Sequence, residues 1–155
     1  MLVDAILFYD VVVALHVMAV MLAFGVIFAY PFIESFLLRQ APDAMGPLHR
    51  AQVHVSRALI TPAGVVALVA GIYLASDRDY FSEVWVQIPF AILIVLLGLT
   101  GAFFIPTEKR LAEAAEAGVE SPAYQALSRR HALVGSIAAG LVLVAVFFMV
   151  TKLGA

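Results

Sequence analysis

Residues 132–151 read ALVGSIAAGLVLVAVFFMVT, twenty positions without a charged side chain. A helix rises about 1.5 Å per residue and needs roughly 20 such residues to cross a hydrocarbon core about 30 Å thick. Three more runs of the same kind precede this one, at 11–33, 58–76 and 84–106. In hydrocarbon every backbone N–H and C=O must be satisfied within the segment, which leaves the α-helix for all four. The chain therefore reads as all-α and polytopic: an antiparallel four-transmembrane-helix bundle, one domain over residues 1–155.

Composition excludes several function classes. At 64% hydrophobic and 13% charged residues, with a mean hydropathy of +1.04, too little polar surface remains to clothe a water-soluble fold. The absence of cysteine removes disulfides, thiolate metal sites and thiol catalysis. Met1-Leu2-Val3-Asp4 carries no basic stretch and no small-residue cleavage site, so the first run reads as a retained helix. The expected surroundings are the lipid bilayer and a second copy or larger membrane complex, with no nucleic acid.

Basic residues in short loops mark the cytoplasmic side. Arg39, Arg50 and Arg57 lie between the first two runs, and Lys109, Arg110, Arg129 and Arg130 between the last two; the other side holds Arg78 and Lys152. Seven against two places both termini outside a bacterial inner membrane. Tyr73, Tyr80 and Trp85 flank the short acidic loop 76–83 as interfacial anchors.

The inner connections are themselves helix-like. Ser121-Pro122 is an N-cap followed by proline at the first helical position, and Pro47 has the same part in helix two. Residues 108–117 are rich in Ala, Glu, Lys and Arg and end at Gly118, a C′ residue. The helices thus extend past the bilayer as a stub in the cytoplasm. Small residues at helical spacing mark the expected contacts: Ala63, Ala67 and Gly71; Gly98 and Gly101; Gly135, Ser136, Ala139 and Gly140. Pro62 and Pro89 are expected to bend or start helices.

Ionisable residues inside apolar runs are costly and face the protein interior. His16 is the deepest, on one stripe with Tyr9, Ala23, Tyr30 and Glu34 at 100° per residue. It is a neutral imidazole bonded to a neighbouring helix, an axial ligand to haem b or a proton-relay site. A second group gathers at the inner rim: Glu34, His54, Arg57, Glu108, Arg130 and His131. The Arg57, Gly64, Gly71 heptad aims this rim at the bundle axis. Its two carboxylates and two histidines lack the Glu-x-x-His spacing of carboxylate-bridged metal sites, so an ion-pair network with the arginines is expected and no metal. His49 reads as a solvated residue. Met18 and Met21 point away from His16, which argues against a copper site.

The arrangement Leu15-His16-Val17, Gly25, Arg57-Ala58-Leu59-Ile60-Thr61-Pro62-Ala63, Gly71-Ile72-Tyr73-Leu74, Trp85-Val86, Pro106, Lys109-Arg110-Leu111 and Met149-Val150-Thr151-Lys152 resembles the DUF2269 family of bacterial integral membrane proteins, over essentially the whole chain. The resemblance implies the architecture and carries no activity. More distantly, helix one and the Thr-Pro-Ala to Gly-Ile-Tyr-Leu stretch are similar to HemJ-type protoporphyrinogen oxidases and CopD-like membrane domains. The HemJ resemblance implies haem binding at His16. This chain has Gly101-Ala102-Phe103 where that type tends to carry a histidine in helix three, and it lacks the Asn-Glu-x-Pro stretch. The functional expectation is an accessory or structural bundle protein. The alternative is a haem-binding redox or tetrapyrrole-handling protein using His16.

Overall fold

The computed structural model describes residues 2–154, with side chains from Phe8 onward. No strand occurs among them, and the chain runs as four antiparallel rods. Rod one joins α1 (Leu2–Phe24) to α2 (Tyr30–Gln40) through a 3-10 turn at Gly25–Phe28. Rod two joins α3 (Met45–Val55) to α4 (Thr61–Asp77) through a π turn at Ser56–Ile60, and rod three joins α5 (Val84–Leu99) to α6 (Ile105–Glu116) through a π turn at Thr100–Phe104. Rod four is the unbroken helix α7 (Pro122–Thr151). The 33 residues of rod three span about 50 Å, so a stub of about 20 Å projects beyond a hydrocarbon core about 30 Å thick.

Side chains such as Phe32 and Val150, each 76% exposed, belong against lipid. Four helices here are long and apolar enough to cross a membrane, and the chain is an integral membrane protein.

A proline stands just after each interruption. Pro31 follows the 3-10 turn, Pro62 the first π turn and Pro106 the second. Proline lacks an N–H, and its ring collides with the carbonyl four residues back; a locally altered turn removes the collision. Hydroxyls take up carbonyls near the two π turns: Thr61 Oγ1 donates to Ser56 O and Thr100 Oγ1 to Leu96 O, both at 2.8 Å. Pro89, expected to bend its helix, sits buried inside α5 without interrupting it.

The rods pair as neighbours. In the apolar half α1 packs on α4 and α5 on α7, while in the stub α3 packs on α6. Rods one and four meet chiefly at the 3-10 turn, which leaves the flank between them open. The end opposite the stub is closed by Ala75, Trp85 and Val86. Tyr80 lies edge-on to Trp85 at 5.1 Å, and Lys152 Nζ lies 5.3 Å from the same indole.

Ser121 caps α7, its Oγ accepting from Tyr124 N at 3.3 Å, and Gly118 holds the left-handed φ of +99° expected of a C′ residue. Pro47 departs from expectation: a 3-10 turn at Pro42–Ala44 leads in, α3 begins at Met45, and Pro47 is its third residue. The small residues divide sharply. A Cβ at Gly64 would lie 2.7 Å from Leu97 Cδ2 and one at Gly71 3.1 Å from His16 Cε1, so both glycines stand at close helix contacts. At Gly98, Gly101, Gly135 and Gly140 it would meet nothing within 4 Å. Those four, expected as contact residues, are open.

Candidate functional site

The altered turns surround a polar centre at the bilayer end of the stub. It begins with three residues on one face of rod two, His49, Gln52 and Ser56, each no more than 2% exposed. Gln52 Nε2 donates to Glu34 Oε1 at 2.6 Å. That turns the amide oxygen toward His49, whose Nδ1–H donates to it at 2.7 Å. The other ring nitrogen must then accept, and Tyr124 O–H donates to His49 Nε2 at 3.1 Å. The result is a one-way chain in which every donor points toward Glu34, running from the start of α7 through α3 to α2. His49 and Tyr124 lie in the stub, outside the apolar runs. Burial holds the His49 imidazole below its ordinary 6.5, and burial, with the Glu34 carboxylate adding, pushes the Tyr124 phenol up to about 12. A neutral imidazole and a protonated phenol are the forms this chain requires.

Beside it, Glu108 is 3% exposed and accepts from Ser56 Oγ at 3.4 Å. His131 Nε2 lies 3.8 Å from Glu108 Oε1, beyond hydrogen-bond reach, with Phe104 edge-on to its ring at 5.6 Å. His131 Nε2 and Tyr30 Oη are both buried without a partner. Unsatisfied buried polar atoms are rare and costly.

Both orphans line one cavity of about 350 Å³ between rods one and four, together with Glu34, Ser56, Thr100 and Glu108. Most of its remaining wall is apolar, and Gly135, Ser136 and Ala139 of α7 form one side. The openness of Gly135 thus makes room for a cleft. A second cavity of about 480 Å³ continues along the same flank and shares Phe24 and Leu96 with the first. His16 lines it, but the Nδ1–H donates to Ala67 O at 2.8 Å and the ring packs over Gly71. His16 is thus hydrogen-bonded to a neighbouring helix, α4.

The rim expected from the sequence is partly reassembled. Glu34, Glu108 and His131 converge on the first cavity, whereas His54, Arg57 and Arg130 are exposed. Arg130 lies over the Phe103 ring at 5.6 Å. The expected ion-pair network is therefore absent among the described residues, where neither Glu34 nor Glu108 pairs with an arginine or lysine. For Arg57 the cause is the π turn at Ser56–Ile60: its wider winding breaks the 100° count, so Gly64 is buried while Arg57, one heptad earlier, is exposed. His49, read as solvated, is 1% exposed at the heart of the network. The signal that would have found it is the spacing of 49, 52 and 56, three polar groups on one helical face. Among the described residues no three His, Asp or Glu gather closely enough to hold a metal ion.

No curated protein and no solved structure matches this chain. A family model described as a predicted integral membrane protein matches residues 10–153, nearly the whole sequence and all four rods, and the chain belongs to that family, DUF2269.

Proposed function

We propose that this protein binds a bilayer-soluble amphiphile from the side, with the polar head among Tyr30, Glu108 and His131 and the tail along the second cavity. The observation that carries the reading is the pair of orphaned polar atoms, beside two carboxylates, in a mostly apolar cleft on the flank between rods one and four. Ligand sites have this form: mostly apolar walls with a few converging polar groups. From His131 to Met149 the two cavities follow α7 for about 27 Å, room for a long alkyl chain. The haem reading gains no separate support from His16, because an Nδ1–H bond to a carbonyl is as expected of a helix-joining histidine as of a ligating one. The basic-residue asymmetry supports a cytoplasmic stub with both termini outside, which puts the polar head near the inner leaflet.

The test uses hexadecyl probes carrying a tail diazirine and an alcohol, phosphate or ammonium head, photolysed with the protein in phosphatidylcholine nanodiscs. Insertion into α5 and α7 peptides by at least one probe is expected, lost in Gly135→Phe and kept in Gly140→Phe, which fills open space outside either cavity. Labelling by all three heads that is unchanged in Gly135→Phe would overturn the reading.

A further inference from the structure

We propose that the head group this cleft accepts is a protonated amine, an inference that rests on the amphiphile-binding reading above. The charges of the cleft are unbalanced. Glu34 and Glu108 both line it, while Arg39, Arg57, Lys109, Arg110 and Arg130 are all exposed. The groups bonded to the two carboxylates are neutral: the Gln52 amide on Glu34 and the Ser56 hydroxyl on Glu108. The one-way chain from Tyr124 ends in an N–H donor on Glu34, leaving the carboxylate to act as an acceptor. Buried charge in an apolar setting needs a counter-charge, and among the described residues the cavity wall supplies no lysine or arginine.

An alkylammonium carries three N–H donors, to which Glu34, Glu108 and the two unpartnered atoms, Tyr30 Oη and His131 Nε2, are able to present lone pairs. His131 is 8% exposed and lines the cavity, so its free nitrogen faces an occupant more readily than bulk water. A phosphate or sulfate head would instead meet two carboxylates. A hydroxyl head has a single donor for the same acceptors.

The three probes decide between heads in a single experiment. The ammonium probe is expected to label about tenfold more strongly than the alcohol, as a charge-assisted hydrogen bond outweighs a neutral one, and the phosphate not at all in the cleft. Glu108→Gln and Glu34→Gln should each remove that preference, bringing ammonium labelling down to the level of the alcohol in the same variant. Two sources of the same chemistry are separated by adding phosphatidylethanolamine to the nanodiscs. Competition with the probe identifies the lipid head group as occupant, and its absence a free lipophilic amine. Equal labelling by alcohol and ammonium, or an ammonium preference that survives both Glu→Gln variants, overturns the proposal while leaving the amphiphile reading intact. Loss of all Gly135-dependent labelling overturns both.

Discussion

Two cavities lie end to end on the same open flank, and they differ in what they leave unfinished. The larger, of about 480 Å³, contains His16, whose Nδ1–H already has a carbonyl partner. The smaller, of about 350 Å³, contains two carboxylates, an imidazole nitrogen and a phenol oxygen, the last two without partners. Size therefore ranks the cavities one way and chemistry the other. A satisfied polar group in a membrane helix is a packing device; an unsatisfied one in a cleft is an invitation to a ligand.

The sharpest way to break this contrast is His49→Ala. It strands the Gln52 amide oxygen and the Tyr124 hydroxyl and opens a cavity, at a cost of about 3 kcal/mol. Thermal unfolding in mild detergent should show a larger fall in Tm for this variant than for His16→Ala, His49→Gln or Tyr30→Phe. His16→Ala loses one bond and the packing over Gly71, and we expect about 1–2 kcal/mol with the preference for ammonium over alcohol unchanged; a lost preference would place His16 in the head-group site. Acidification gives a smaller effect of defined sign. The folded His49 pKa is depressed below 6.5, so below that pH the unfolded chain binds the extra proton and stability falls as pH is lowered. A His49→Gln variant should flatten that slope between pH 7 and 5. Tyr30→Phe is the finest probe. Deleting an unpartnered hydroxyl should shift stability by less than about 1 kcal/mol, yet weaken the ammonium probe; a substantial fall in Tm would mean that the oxygen is satisfied after all.

The four spans, the Ser121 cap and the Gly118 terminus are legible in the sequence because each depends on local chemistry: run length, a hydroxyl before a proline, a glycine after the last turn. The membrane reading needs nothing beyond residues 132–151 and their three counterparts. The inward-facing set is only half legible. Glu34, Glu108 and His131 stand out because they border apolar runs, but the same pattern puts Arg57 on the wrong side. A wheel drawn at 100° per residue holds only within an uninterrupted helix, and the turns at Ser56–Ile60 and Thr100–Phe104 each reset the phase. Glu108 is accordingly buried while Gly101, on the same drawn face, is exposed. His49 escapes for a different reason: its partner Tyr124 is 75 residues away, a pairing no local pattern encodes.

Trp85 is the chain's one tryptophan, and it sits in the closed end with Tyr80 and Lys152 around it. Along rod three it is about 35 Å from Glu108, taking 1.5 Å per residue. The molecule thus carries its single tryptophan at the end remote from the carboxylates. Its emission reports whether the bundle's far cap is intact and is blind by distance to a head group at Glu108. Binding and unfolding can therefore be watched in one cuvette, the first by an added probe and the second by the protein's own light.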